Sequence, residues 1–258
     1  NPSDDPPATV NTMRLSSALV EAEQYQTNAQ SGVSWLSATD KALGDATDVV
    51  QRVRELTISG ANSTLPTSSR ESLADELDQL LRHLVDIGNS TYGDLHLFGG
   101  YQTRSKPFAL VTVPAEQVIY SGDSGRISRE IGPGVEVAIS VPGDTAFAAA
   151  FDAIIRTKQD MLAGNVTDLS SVRLDELDSA LDGLLSVRAE LGAKMNRLEL
   201  ATGRLRELKG NLTSLRSAVE DADFAEAVMN LKQLESVHRA ALASGARLFE
   251  DSLVDFLR

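Results

Sequence analysis

The sequence predicts a mainly α protein, a bundle of long helices carrying a small antiparallel β domain. Three observations predict it. Leucine recurs at every seventh position from Leu177 through Leu184, Leu191, Leu198 and Leu205 to Leu212, with Val219 next in line. Apolar or small residues keep the same step at Leu15, Ala22, Ala29, Leu36, Leu43 and Val50. Between Leu95 and Pro142, by contrast, glycine and proline separate short β-branched runs. A seven-residue repeat places its members on one helix face, whereas short β-branched runs bounded by turn residues read as strands.

The first helix is predicted from about Pro7 to Ser59, roughly 80 Å at about 1.5 Å per residue. Asp5 can cap it, and Pro6 and Pro7 suit its first turn, where an N–H has no partner in any case. Gly32 and Gly44 read as weak points costing about 1 kcal/mol each, and Gly60 with the "NSTLP" run ends it. A second helix is predicted over 68–92, opened by Ser68 with Glu71 as a capping box. Leu73, Leu77, Leu80, Leu84 and Ile87 give its apolar face, and Gly88 or Gly93 stops it. The runs "QVIY", "RISREI" and "VEVAISV" then read as strands of one small sheet, bracketed by Gly99-Gly100, a hinge, and Gly143. Phe147, Phe151, Ile154, Ile155, Met161 and Leu162 restore helical spacing, which Gly164-Asn165 closes. The longest helix is predicted over 170–219. Its second apolar row drifts from Leu174 and Leu181 to Leu208 and Leu215, so it should pack against more than one helix. The acidic run "EDADFAEAV" reads as a pause, with Asp221 or Asp223 capping a terminal helix from about 224 to 258. The apolar face of that helix includes Leu231, Leu234, Leu242, Phe249, Leu253, Phe256 and Leu257, and no complementary stripe is left to cover it. The organisation read from this pass is helical core 1–94, β-rich domain 95–143, helical core 144–219 and a spoke with terminal helix 220–258.

Composition narrows the function. The chain has 258 residues, 42% of them hydrophobic and only 5% aromatic, with one Trp. That suffices for a large core built of Leu, Val and Ala. A formal charge of −13 argues against nucleic acid and anionic membrane surfaces as partners, since both would repel the chain. With no cysteine, disulfides, thiol nucleophiles and thiolate metal sites are excluded. No window approaches the roughly eighteen apolar residues of a membrane span, and no secretory signal opens the sequence. The chain starts at Asn1 rather than Met and so reads as beginning inside a longer product.

No catalytic, cofactor or metal site is expected. "GDSG" at 122–125 echoes the nucleophile loop of serine proteases, but Arg126 follows it and the histidines, His83, His96 and His238, lie elsewhere in the chain. A β-turn is the reading taken. "LFGGY" lacks the Lys and Ser/Thr of a phosphate loop. The triplets that begin at Asn62, Asn89, Asn165 and Asn211 are assigned no function.

Several stretches resemble the bacterial flagellin superfamily. "QRVRELTISGANST" is similar to its first core helix, and "RAELGAKMNRLE" with "EDADFAEAVMNLKQLE" to its carboxy-terminal core. "NPSDDPPA", "LFGGYQTRSKPF", "VIYSGDSGR", "EIGPGVEVAISVPGDTAF" and "LVDFLR" resemble its hook–filament junction branch. The resemblance implies a flagellin-like bundle and a structural axial protein with no cofactor, secreted by the flagellar type III system, that self-assembles into the junction layer. The alternatives are the filament subunit itself and, less well matched, a non-flagellar coiled-coil adaptor. The implied partners are copies of itself, another hook-associated protein, the hook and filament sides, and an export chaperone. The acidic run would be the spoke, and the terminal residues from Leu231 to Leu257 an assembly or chaperone surface that pairs with a helix ahead of Asn1. Arg52 and Arg54 are expected on the subunit-facing surface, with Val53 and Leu56 turned inward. The β domain is expected at the end of the bundle far from both termini.

Overall fold

The structure is a computed structural model that describes the backbone of residues 6–113 and 115–256, and side chains over 9–113, 115–218 and 226–245. It divides into two compact units, one of residues 24–204 and the other of 1–23 with 205–258. Helix α1 (Pro6–Gly60) is unbroken over 55 residues. Its seven-residue row is confirmed by burial, with Ala29, Leu36, Leu43 and Val50 all at 0% exposure. Asn62 turns the chain after it, its side-chain oxygen accepting from the Thr64 N–H and hydroxyl at 3.0 and 2.8 Å.

Helix α2 (Thr67–Gly88) differs from expectation at both ends. The Ser68–Glu71 capping box does not form, because extended Pro66 enters the helix directly. The helix stops at Gly88 rather than 92, because Asn89 takes its carboxamide to another strand. It accepts from the Phe108 N–H at 2.9 Å and donates to the Phe108 carbonyl at 3.0 Å. The site suits glycine, since a Cβ at 88 would lie 2.7 Å from the Phe108 ring.

The β region is three separate two-stranded antiparallel ribbons rather than the single sheet expected. They are β1 (Thr91–Tyr92) with β2 (Leu95–His96), β3 (Phe108–Val111) with β4 (Gln117–Tyr120), and β5 (Ser128–Gly132) with β6 (Val135–Ala138). The loops 97–107 and 121–127 separate the three ribbons, and each strand pairs only with its own hairpin partner. The third ribbon turns through Pro133-Gly134 with Gly134 at φ +69°, the proline-then-glycine order of a type II turn. Gly99-Gly100 is a tie rather than a hinge. The Gly99 carbonyl accepts from the Gln102 and Asp123 N–H groups, and the Phe98 carbonyl from the Gly143 N–H at 3.0 Å.

Helix α3 (Gly143–Ala163) ends at left-handed Gly164, with the Asn165 N–H reaching back to the Asp160 carbonyl at 3.0 Å. A single turn, α4 (Val166–Ser170), leads into α5 (Val172–Phe256) of 85 residues. This helix runs through "EDADFAEAV" without the predicted pause. The stretch 211–244 holds neither Gly nor Pro, and an aspartate that could cap a new helix gains little where the old one continues unbroken.

Within the unit 24–204, α1, α2, α3 and the first part of α5 run alternately up and down. Arg54 of α1 binds Asp178 of α5 at 2.6 Å, Asp40 binds Arg188 at 2.9 Å, and Gly32 faces Leu198. Advancing along α1 thus retreats along α5, the antiparallel order that short loops impose. The early part of α5 also meets α3, through Arg156–Glu176 and Arg173–Asp160 at 3.1 and 2.7 Å, as the drift in its apolar rows predicts.

Residues 1 and 258, against which the place of the β domain was expected, lie outside the described residues, so its position is given within the unit 24–204 alone. The end farthest from Gln24 and Arg204 is the α1–α2 connection, where Gly60 meets Met161. The ribbons lie instead along the Asn28–Trp35 stretch of α1. Asn28 donates to the Glu130 carbonyl at 2.9 Å, Gly32 faces Ile139, and Trp35 meets Tyr92 edge-on at 5.9 Å. The reason is length. At 22 residues, α2 returns only about 33 Å along α1, and the ribbons cover the apolar stripe it leaves bare. Their cores join the helices through Phe98, Phe108, Phe147 and Phe151, whose rings meet at 4.8 to 5.8 Å.

A charged node fastens the second ribbon. Lys158 of α3 reaches Asp78 of α2 at 2.6 Å and Glu116 of the β3–β4 turn at 2.8 Å, all three side chains at most 21% exposed. The Lys158 hydrogen bond holds the Asp78 carboxyl below its ordinary range. Burial disfavours the Lys158 charge, but its two carboxylate partners outweigh that and raise its pKa.

Candidate assembly surfaces

Apolar exposure is uneven along α5. Leu177, Leu184, Leu191 and Leu198 are 0% exposed, and Leu205 8%. Beyond them Leu208 and Leu215 are 45% and 56% exposed. Every described residue from 226 to 244 is exposed, including Val228, Met229, Leu231, Leu234, Val237 and Leu242. Val228, Leu231, Leu234 and Leu242 share one side of the helix by their spacing. Phe249, Leu253, Phe256 and Leu257, which the sequence adds to this face, lie outside the described side chains. In the same unit Leu19 and Ala22 of α1 are buried, and Lys209 pairs with Glu23 at 2.7 Å. On α1, Val10, Met13 and Val20 are 48 to 65% exposed. Exposed leucines at helical spacing are what an unfilled helix interface presents.

Arg52 and Arg54 are half-exposed on α1, while Val53 and Leu56 are buried. Each arginine is held by carboxylates of its own chain, Arg52 by Glu76 and Glu55 at 2.8 and 2.9 Å, and Arg54 by Asp178. Hydrogen bonding to these partners raises both guanidinium pKa values. A neighbour meeting this surface would find paired charges rather than free ones.

The residues weighed for chemistry take structural places. The Asp123 carboxylate accepts from the Tyr101 and Gly125 N–H groups at 2.8 and 2.7 Å, closing the turn that contains exposed Ser124. His83 and His238 are exposed on helices, and the His96 ring bonds the Asn89 carbonyl at 2.8 Å. No group of three or more metal-ligating side chains and no helix able to cross a membrane occurs among the described residues.

Sequence reasoning missed a groove of 420 Å³ between α3 and α5, lined by Ala149, Asp152, Ala153, Val172, Asp175 and Ser179, with Arg156 and Glu176 paired beside it. Helices α3 and α5 are joined by the single turn of α4, and the groove forms where they fold back on each other, which the pattern of neither helix alone announces. The nearest signal is the acidic run from Asp175 to Asp182 at the start of α5.

Comparison with known proteins places these surfaces in context. Residues 1–103 match the bacterial flagellin N-terminal helical region, and residues 174–257 match the bacterial flagellin C-terminal helical region. Flagellar hook-associated protein 3 of Escherichia coli (strain K12) is 26% identical over 93% of this chain and 84% of its own length. A flagellar filament 30.7 kDa core protein of Treponema maltophilum is 29% identical over 85% of this chain and 73% of its own. The crystal structure of a flagellar hook-associated protein-3 from Legionella pneumophila shares the fold. It has a TM-score of 0.74 at 17% identity, and covers 81% of this chain and 99% of that one.

Proposed function

Because this chain belongs to the bacterial flagellin family and is a structural protein of the flagellum, we propose that it forms the junction layer between hook and filament. The observation that carries this reading is the match to a hook-associated protein 3 over 93% of the chain, a span that takes in the β ribbons between the two flagellin regions. Copies of the chain associate side by side through their helical cores. The exposed 226–245 face, continued by Phe249, Leu253, Phe256 and Leu257, is buried in assembly, or by an export chaperone before it. Arg52 and Arg54 lie on the surface turned to a neighbouring subunit. The chain leaves the cell through the flagellar type III system and works outside it, between the hook protein side, a second hook-associated protein and the filament side. It catalyses no reaction.

The filament-subunit reading has support in the Treponema match. Immunogold labelling of the flagella separates the two. A junction protein labels one narrow band where hook meets filament, and its deletion leaves bare hooks with filament protein shed into the medium. Label along the whole filament would overturn the junction reading.

A further inference from the structure

We propose that the α3–α5 groove receives the Arg197–Leu200–Arg204 ridge of α5 from a second copy of this chain, a contact that rests on the assembly role above. The groove has an apolar floor of Ala149, Ala153 and Val172, the last 45% exposed. Its two rims carry Asp152 and Asp175, both exposed and neither engaged by a cation among the described residues, whereas Arg156 and Glu176 satisfy each other at 3.1 Å. The groove is therefore an apolar trough flanked by two spare negative charges.

The ridge is its complement. Leu200 is 74% exposed, the most of any leucine among the described residues. Arg197 and Arg204 stand three residues before it and four after it, so all three share one helix face. Both arginines are exposed and have no carboxylate partner among the described residues. One apolar knob between two free cations thus matches one apolar trough between two free anions. Copies that each carry −13 repel at long range, so a contact between them needs such local complementarity to set its register. Groove and ridge are different surfaces. A heterologous contact of this kind propagates from copy to copy, as a ring or tubular layer requires.

The absence of cysteine allows a clean test. Ser179→Cys marks the groove, and Asn196→Cys, one turn before Leu200, marks the ridge. Within one chain these positions are separated by about 25 Å of helix, too far for a disulfide. The two full-length variants are mixed and oxidised with copper phenanthroline. The mixed disulfide dimer is expected to exceed clearly the twofold ratio over either homodimer that random pairing gives. Adding R197D and R204D to the ridge variant is expected to cut its yield roughly tenfold or more, and adding D152R and D175R to the groove variant is expected to restore it. A mixed dimer at no more than twice the abundance of either homodimer, or a yield indifferent to charge reversal, overturns the contact. Sedimentation of the unaltered chain then separates the two failures. Self-association without this cross-link leaves the assembly role standing, whereas a monomer at every concentration removes both.

Discussion

Two stretches of one helix, 172–204 and 226–245 of α5, have similar apolar spacing and opposite surroundings. In the first, four leucines at seven-residue steps are fully buried; in the second, Leu231, Leu234 and Leu242 are 58 to 67% exposed. Periodicity fixes which residues share a face, and only a second element decides whether that face is covered. In the first stretch α1 and α3 supply the cover. In the second, among the described residues, nothing does. The first stretch forms part of the core, and the second leaves its apolar face bare among the described residues.

Leucine truncation should expose this difference most strongly. Leu184→Ala is expected to lose about 3 kcal/mol, the transfer term plus an uncollapsed cavity, whereas Leu231→Ala should stay within about 0.5 kcal/mol. Urea unfolding measures both, and equal losses would mean that the terminal stretch has cover inside the monomer.

Glycine substitution sharpens the contrast at smaller scale. Gly88→Ala drives a methyl to 2.7 Å from the buried Phe108 ring, so a loss of about 1–3 kcal/mol is expected. Gly32→Ala, 2.9 Å from Leu198 and 3.1 Å from Ile139, should fall in the lower part of that range. At Gly203 a Cβ would meet nothing within 4 Å, and Gly203→Ala should stabilise by up to about 1 kcal/mol. Thermal denaturation of the three variants reads out the order.

A pH series tests the node that holds the second ribbon to the bundle. The Asp78 carboxyl is depressed, chiefly by the Lys158 hydrogen bond, so its contribution is present above the ordinary carboxylate pKa of about 3.9 and is lost as pH falls through the lower folded value. The Lys158 ammonium is raised, with burial opposing and Asp78 and Glu116 prevailing. Its contribution is full below about pH 10.4 and is lost as pH rises through the higher folded value. The urea midpoint of D78N should lie below that of the unaltered chain at pH 7 and converge with it in acid. A gap that persists in acid would place the effect in packing rather than charge.

The smallest effect is expected at the exposed pairs. Arg54→Ala removes a half-exposed ion pair with Asp178 and should leave the melting temperature of the monomer unchanged, because solvent screens such pairs. A clear drop would make this surface part of the bundle's own stability.

The long helices, the leucine ladder buried from Leu177 to Leu205 and the exposed leucines of 226–244 were legible because each is a matter of spacing within one segment. Three features were not. The acidic run looked like a stop because aspartate favours caps, but capping preference is a local term and no Gly or Pro enforced the break. Gly32 looked like a weak point, although its smallness lets Leu198 and Ile139 approach. The place of the ribbons along the Asn28–Trp35 stretch follows from how far α2 reaches back along α1, which no single segment's pattern records. The exposure of Leu231, Leu234 and Leu242 and of the arginine pair could be read from the residues, whereas the α3–α5 groove exists only once the two helices fold back on each other.

The Asn89 carboxamide has one more consequence. Two-stranded ribbons leave outer backbone groups open, and open edges recruit further strands from other chains. Phe108 opposes Tyr120 in the ladder, while the neighbouring Ser121 N–H bonds the Pro107 carbonyl, so the Phe108 N–H and carbonyl point away from β4. Both are taken by Asn89. A side chain thus stands in for a missing strand, and the start of this edge is closed to amyloid-like stacking in a protein whose work brings many copies together.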